Sequence, residues 1–277
     1  MGVGFVGLGD QGRPIASRIH GGGFPLTVWA RRSRSLEPFV GTDVEVATSP
    51  AELGRLSDVV GVCLFDAAGV RDVLLGPGGV VEGLRPGGIV VVHTTLAPDE
   101  VRDIAAEVRA AGVSLLDAPV SGGNARAALG TLTVMVGGDR EALDRIRPVL
   151  ATYASDIVHL GDVGAGQTAK LLNNALFTAQ LVLADDVLRI GAVLGLDPQS
   201  LAVVLGTSSS AGTASRIRFD VGSLAGLAAS QADAALSKDV GLLGQAMAGR
   251  PREDLVEIAE RFVAAMTDAR SAGPSRN

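Results

Sequence analysis

The first 161 residues alternate short apolar runs, rich in Val, Ile and Leu, with stretches of helical periodicity. Nearly continuous apolar runs are typical of strands buried on both faces of a parallel sheet, and the helical stretches supply the crossovers that parallel neighbours need. We therefore predict an α/β domain with helices on both faces of a mostly parallel sheet. The predicted strands span residues 3–7, 26–30, 44–47, 58–64, 88–93, 113–117, 131–137 and 156–160, and the clearest helices span 11–20, 67–75, 98–111 and 139–151.

The pattern changes after residue 161, and no convincing strand recurs. A long predicted helix runs from about 167 to 195, where Gly195 ends it, and Asp197 caps a shorter one. We expect a sheet domain over residues 1–161 and an all-helical domain over 162–277. Further helices are predicted over 213–226, 231–248 and 252–270.

A glycine-rich loop joins the first predicted strand to the first predicted helix. Gly7, Gly9 and Gly12 have the G-x-G-x-x-G spacing, which lets the backbone approach a pyrophosphate at a helix N-terminus. In this context the spacing predicts an N-terminal Rossmann-type doubly wound sheet that binds a dinucleotide, followed by an all-α C-terminal domain. The predicted cofactor-binding residues of the loop are Gly7, Leu8, Gly9, Asp10, Gln11 and Gly12.

The end of the second predicted strand bears on the choice of cofactor. An acidic residue there would bind the ribose hydroxyls of NAD, but the strand is followed by Arg31 and Arg32, with no carboxylate until Glu37. Two guanidinium groups are suited to a 2′-phosphate. The sequence therefore favours NADP, with NAD possible.

Composition excludes several classes of partner. The net charge is −6 and no basic face is evident, so nucleic acid is not an expected partner. Cys63 is the only cysteine, and the apolar N-terminus lacks the basic region of a signal peptide. Charged residues, including Asp185 and Arg189, interrupt the long helix, which argues against a membrane span. A cytoplasmic location and no metal are expected.

Of 24 basic residues only two, Lys170 and Lys238, are lysine. An ammonium group gives up its proton more readily when buried, whereas a guanidinium stays charged. The two lysines are therefore candidates for proton chemistry, although composition alone is equally consistent with two solvated residues.

Four motifs in order resemble those of the β-hydroxyacid dehydrogenase family, which includes 3-hydroxyisobutyrate dehydrogenase, tartronate semialdehyde reductase and the glyoxylate/succinic semialdehyde reductases. The motifs are GVGFVGLGDQG at 2–12, DAPVSGG at 117–123, GAGQTAKLLNN at 164–174 and KDV at 238–240. The resemblance implies an NAD(P)-dependent oxidoreductase with a C-terminal domain related to that of 6-phosphogluconate dehydrogenase.

The resemblance also implies roles for individual residues. Lys170 would be the catalytic acid/base, and Asn174, four residues later on the same helix face, would touch the substrate. The substrate carboxylate would be held by Ser121, Gly122 and Gly123, and the cofactor would meet Leu64, Phe65, Thr95 and Lys238.

The resulting prediction is hydride transfer between the nicotinamide and a small β-hydroxyacid or semialdehyde, with Lys170 moving the proton. An imine reductase-like enzyme and a non-enzymatic NADP-binding module are the alternatives; relatives of both kinds usually lack this lysine. His93 is a weaker catalytic candidate. The apolar surface of the long helix predicts a subunit interface, and hence a homo-oligomer, a dimer or tetramer.

Overall fold

The structure is a computed structural model that describes residues 1–228, 231–251 and 253–272. The chain divides into two compact units, Met1–Lys170 and Leu171–Asn277. The division falls inside one long helix, α8, which spans Ala165–Val193.

The first unit is built on a nine-stranded sheet whose order is β3-β2-β1-β4-β5-β6-β8-β7, with β9 paired to β8. Strands β1 to β6 are parallel to one another, whereas β8 runs antiparallel to β6 and β7. The order 3-2-1-4-5-6 is that of a doubly wound sheet, which confirms the predicted fold class. The strands are β1 Val3–Val6, β2 Leu26–Trp29, β3 Glu45–Val46, β4 Val59–Val62, β5 Ile89–Val92, β6 Ser114–Asp117, β7 Val120–Ser121, β8 Leu132–Gly137 and β9 Ala154–Gly161.

The four clearest predicted helices of this unit are present, and several shorter elements were not predicted. The predicted helices are α1 Gly12–Gly21, α3 Ala67–Leu75, α5 Pro98–Ala110 and α7 Arg140–Leu150. The additional elements are α2 Pro50–Arg55, α4 Val80–Gly83, α6 Gly123–Leu129, a 3₁₀ helix at Ser33–Phe39 and strand β7. None of them exceeds seven residues, so none contains enough turns or pleats for its apolar period to stand out.

The sheet is buried on both faces. On β5, Ile89 and Val91 belong to one hydrophobic cluster, whereas Val90 and Val92 belong to another on the opposite face. All four side chains are at most 3% exposed. This two-sided burial explains why the strand sequence is continuously apolar instead of alternating.

The second unit is helical, as predicted. Its elements are the rest of α8, then α9 Pro198–Thr207, α10 Thr213–Asp220, α11 Leu224–Leu227, α12 Gln231–Ala246 and α13 Asp254–Ala272. The prediction of one helix over 213–226 was wrong: Gly222 adopts φ +74°, and Ser223 starts a new helix by accepting a hydrogen bond from the Gly226 N–H. Residue 252, the predicted start of the last helix, lies outside the described residues.

Small apolar clusters hold this unit together. Leu171 and Ala175 of α8 pack with Val240 of α12, and farther along α8 Leu181 packs with Phe262 of α13. The other side of α8 is exposed and apolar. Among the described helices, none is long and apolar enough to cross a membrane.

Candidate active site

The parallel strands end in register. Val6 is aligned with Trp29 on one side and with Val62 on the other, Val62 is aligned with Val92, and Val92 with Asp117. The loops that follow these strands therefore leave the sheet at one edge. In doubly wound sheets this carboxyl edge is where ligands bind.

The glycine loop connects β1 to α1 at this edge, and its glycines have different structural roles. A Cβ on Gly7, which has φ +92°, would lie 2.0 Å from the Cys63 carbonyl oxygen, and one on Gly12 would lie 1.9 Å from the Gly7 oxygen. A Cβ on Gly9 would meet nothing within 4 Å. Two glycines therefore allow the loop to close tightly, and the third leaves the outer side of the loop open.

The start of α1 has the donors that an anion needs. Its N-cap residue Gln11 makes no side-chain capping bond, and the first turn contains no acidic residue. The Gln11 Nε2 atom is buried and makes no hydrogen bond within the described part of the chain. The helix dipole, a first turn without a carboxylate and the unbonded Gln11 amide together fit the pyrophosphate of a dinucleotide.

Arg31 and Arg32 follow β2 at the same edge, as predicted. Both are exposed. The Arg31 Nη2 atom is 3.1 Å from the Asp72 carboxylate, and both side chains are more than half exposed. A pair this exposed contributes little to stability and does not prevent Arg31 from contacting an anionic ligand.

A hydrogen bond joins the loops after β4 and β5. The Leu64 N–H donates to the Thr94 hydroxyl oxygen over 2.8 Å. Phe65 is 69% exposed, and Thr95 is half-buried. The structure thus brings the predicted cofactor contacts Leu64, Phe65 and Thr95 to neighbouring positions along the sheet edge.

Ser121 ends β7, and the two glycines after it begin α6. Gly122 and Gly123 have φ values of +128° and +68°, which other residues rarely adopt. Both glycines are exposed, and a Cβ on Gly123 would meet nothing within 4 Å. The segment can therefore present backbone N–H groups to a small anion.

The start of α8 is anchored to the sheet by Asp117, which sequence reasoning recognised only as part of a motif. Its carboxylate accepts hydrogen bonds from the N–H groups of Gly164 and Gln167, over 2.7 and 2.8 Å. Burial raises the pKa of Asp117 above its ordinary value, although these donors oppose the shift. Lys170 follows one turn later and is half-buried.

In the second unit Asn174 is held by a carboxylate that was not predicted. Its Nδ2 atom donates to Asp239 Oδ2 over 2.6 Å, and its Oδ1 atom accepts from Asn173 Nδ2 over 3.0 Å. The Lys238 Nζ atom is 3.8 Å from the other oxygen of Asp239. Asn174 and Lys238, far apart in sequence, are therefore neighbours of one buried carboxylate.

His93 is buried and is held in place by hydrogen bonds and ring stacking. Its Nδ1 atom donates to the Ala118 carbonyl over 2.7 Å, so its Nε2 atom accepts from the Tyr153 hydroxyl at 3.2 Å. The ring stacks on Phe5 with centroids 6.1 Å apart. Burial lowers the pKa of His93 to about 4, so the ring is neutral. Within the described residues, no group of three or more His, Cys, Asp or Glu side chains is placed to hold a metal ion.

The doubly wound sheet, the glycine loop and the loops at the carboxyl edge define a Rossmann-type dinucleotide-binding protein. Residues 2–161 match the NAD-binding domain of 6-phosphogluconate dehydrogenase, and residues 164–271 match the NAD-binding domain of NADP-dependent 3-hydroxyisobutyrate dehydrogenase. The chain belongs to the β-hydroxyacid dehydrogenase family and is an NAD(P)-dependent oxidoreductase acting on CH–OH groups.

Individual relatives agree with this assignment. The NAD-dependent L-serine dehydrogenase of Pseudomonas aeruginosa is 36% identical over 207 residues, 75% of this chain and 70% of that protein. The structure of Mycobacterium tuberculosis 3-hydroxyisobutyrate dehydrogenase with L-serine is 29% identical, with a TM-score of 0.82 over 96% of this chain and 94% of that one. A Streptomyces aurantiacus imine reductase, 21% identical with a TM-score of 0.69 over 99% of this chain and 95% of that one, shares the fold. The dehydrogenase prediction is confirmed over the imine reductase alternative.

Proposed function

We propose that the chain interconverts a small 3-hydroxy acid and its semialdehyde with NADP(H), and that Lys170 moves the proton. The bound nicotinamide supplies the hydride. The observation that carries the proposal is the position of Lys170: it is one of only two lysines, and it lies one turn after the anchored start of α8. An ammonium group there can protonate the carbonyl oxygen during reduction and take the proton back during oxidation.

The substrate class follows from the anion-binding features. Ser121, Gly122 and Gly123 provide a hydroxyl and backbone donors for a carboxylate, and Asn174 provides an amide whose orientation Asp239 holds. The substrates in the names of the relatives, L-serine and 3-hydroxyisobutyrate, both have a hydroxyl two carbons from a carboxylate. We infer that residues 162–277 form the substrate and oligomerisation domain.

Purified protein tests the activity directly. We expect oxidation of NADPH with small semialdehydes or glyoxylate, and reduction of NADP with L-serine or 3-hydroxyisobutyrate. Activity on cyclic imines alone, or tight NADPH binding with no turnover of any of these compounds, would contradict the proposal in favour of the other two classes.

Two variants of Lys170 separate proton transfer from simple electrostatic attraction. Lys170→Ala should lower kcat on the order of 10²-fold or more while NADPH still binds. Lys170→Arg keeps the positive charge, but its guanidinium does not release a proton, so it should be similarly impaired. If Lys170→Arg keeps full activity, charge alone is sufficient and the acid/base role is wrong.

The preference for NADP rests on Arg31 and Arg32, and on the absence of a carboxylate immediately after β2. Arg31→Ala and Arg32→Ala should each raise the KM for NADPH and leave the KM for NADH nearly unchanged, because NADH has no 2′-phosphate. A wild-type enzyme that prefers NADH would overturn this assignment.

The exposed face of α8 supports a homodimer. Five large apolar side chains of the helix are between 40% and 58% exposed: Leu172, Leu176, Leu183, Val187 and Ile190. A contiguous exposed apolar stripe is typical of protein–protein interaction surfaces, and a second copy can cover it with the same residues. Ile190→Glu should shift the mass measured by light scattering from dimer to monomer. Gln199→Glu, at an exposed position on α9, adds the same single negative charge outside the stripe and is the control. A monomeric wild-type protein would refute the dimer.

We also place the protein in the cytoplasm, since one cysteine permits no internal disulfide.

A further inference from the structure

Gln167 makes an unusual set of contacts for a residue at the start of a helix. It is fully buried. Its Oε1 atom accepts a hydrogen bond from the Leu96 N–H over 3.0 Å, and its Nε2 atom donates to the Thr94 carbonyl over 2.9 Å. Both partners belong to the loop after β5, and they flank Thr95 on its two sides.

The backbone of Gln167 is held as firmly as its side chain. Its N–H donates to the Asp117 carboxylate. A Cβ on the preceding residue, Gly166, would lie 2.3 Å from the Met135 carbonyl oxygen, so the start of α8 is in close contact with β8. Because the helix cannot shift on the sheet, the Gln167 side chain is a rigid link between the helix and the β5 loop.

The amide is the group that this link requires. It must accept from one N–H and donate to one C=O at the same planar end, which an Asn or Gln side chain does and an ionised carboxylate or a thioether does not. Gln167 also lies three residues before Lys170, a rise of about 4.5 Å on the same helix.

We propose that Gln167 is a positioning residue that keeps the Thr95 loop in register with the helix bearing Lys170. The inference rests on the proposed function, in which Lys170 moves the proton, and on the predicted contact of Thr95 with the nicotinamide cofactor. Hydride and proton transfer must reach the same C–O group, so a displacement of about 1 Å between the two elements would cost on the order of 10²-fold in rate.

Gln167→Glu gives a pH-dependent test. When protonated, the introduced carboxyl can still donate to the Thr94 carbonyl and accept from Leu96. When ionised, the carboxylate has no proton to donate, and one of its oxygens, also an acceptor, lies against the Thr94 carbonyl oxygen. Burial, with Asp117 close by, should raise the pKa of the new carboxyl above its ordinary value of about 4.3. The ratio of variant to wild-type kcat should be near one below that pKa and fall on the order of 10²-fold above it.

Gln167→Met removes both hydrogen bonds with little change in volume. We expect a lower kcat and a Kd for NADPH close to that of the wild type. The emission spectrum of bound NADPH should change, because the Thr95 loop beside the nicotinamide has moved. Ser57→Ala is the matched control: Ser57 is also buried and loses one hydrogen bond, to the Leu53 carbonyl, but it precedes β4 at the opposite edge of the sheet. Its kcat and NADPH emission should be unchanged.

The outcomes separate this inference from the proposed function. A pH-independent kcat ratio for Gln167→Glu, or a wild-type kcat for Gln167→Met, overturns the positioning role. Loss of thermal stability with unchanged kcat per folded molecule does the same, since it shows a purely structural role. Full activity of Lys170→Ala refutes the proposed function instead, and the emission of bound NADPH then still decides whether Gln167 positions the loop. If Gln167→Met does not fold, the pH profile of Gln167→Glu decides alone.

Discussion

The glycine loop allows a prediction in which the same substitution has different effects at two positions three residues apart. Gly9→Ala adds a methyl group on the open side of the loop, where it meets no atom within 4 Å. Gly12→Ala adds the same methyl group 1.9 Å from the Gly7 carbonyl oxygen. Gly9→Ala should therefore impair ligand binding, and Gly12→Ala should impair folding.

The magnitude for Gly12→Ala follows from the overlap. Carbon and oxygen atoms normally stay about 3.3 Å apart, so the backbone of the loop or of α1 has to move by roughly 1.4 Å. Overpacking usually destabilises a protein by about 1–3 kcal/mol. Because the clash is with backbone atoms, which can move less than a side chain can, we expect the free energy of unfolding to fall by about 3 kcal/mol or more. At about 2–4 °C per kcal/mol for a unit of this size, Tm should fall by roughly 6–12 °C.

Gly9→Ala should leave the free protein as stable as the wild type or slightly more so, because alanine reduces the entropy of the unfolded chain by about 0.4–1 kcal/mol at a compatible position. The methyl group occupies the space that a pyrophosphate would take against the loop. We expect the Kd for NADPH to rise by about tenfold or more, which corresponds to about 1.4 kcal/mol.

Scanning fluorimetry without cofactor measures Tm, and titration of NADPH fluorescence measures Kd. Gly21→Ala, at the other end of α1, is the control, since its new methyl group also meets nothing within 4 Å. It should leave the Kd unchanged and should not lower the Tm. If Gly9→Ala binds NADPH as tightly as the wild type does, the pyrophosphate does not lie on this loop. If Gly12→Ala keeps its Tm, the close approach to Gly7 is wrong.

Three further predictions concern charged and titratable groups. Asp10 is an exposed carboxylate in the glycine loop, so Asp10→Asn should lower the Kd for NADPH about two- to fivefold at low salt, and less at high salt where the repulsion is screened. His93 has its pKa lowered to about 4, so between pH 6.5 and 4 the unfolded chain binds a proton that the folded chain does not. The free energy of unfolding should therefore decrease as the pH is lowered through that window, by at most about 3 kcal/mol. His93→Phe should remove that dependence. Arg218→Met should destabilise the second unit by about 2 kcal/mol or more, because among the described residues it leaves the half-buried Asp185 with Arg189 as its remaining ion-pair partner. It should not change the Kd for NADPH.

Each of these has a result that would count against it. For Asp10→Asn it is an unchanged Kd at low salt. For His93→Phe it is a denaturation series in which the variant keeps the pH slope of the wild type. For Arg218→Met it is a Tm equal to that of the wild type.

The predictable part of the fold came from long repeating patterns. The continuous apolar run of β5 indicated burial on both faces, and the structure shows alternate residues of that strand in the two clusters. Short elements such as α2 depend on a local cap, the Ser49 hydroxyl accepting from the Glu52 N–H, and periodicity does not reveal them. The break between α10 and α11 was missed because its cause is one glycine with positive φ.

The candidate site shows the same division. Gly7, Gly9, Gly12 and Lys170 are recognisable because glycine spacing and a rare residue type stand out in a sequence. Gln167 was visible only as a letter inside a motif. Its role depends on partners about seventy residues away in the chain, which only the folded sheet brings to it.

The sequence by itself determined the class of protein: a doubly wound sheet with a dinucleotide loop, a helical C-terminal domain and a dehydrogenase family. Such properties depend on local periods, spacings and motifs, which are contiguous along the chain. The tertiary structure decided which two glycines close the loop and which one leaves it open, that His93 is a neutral core residue, and that Asp117 and Gln167 anchor the helix of Lys170. These depend on distances between segments far apart in sequence, and those distances exist only after the strands have aligned.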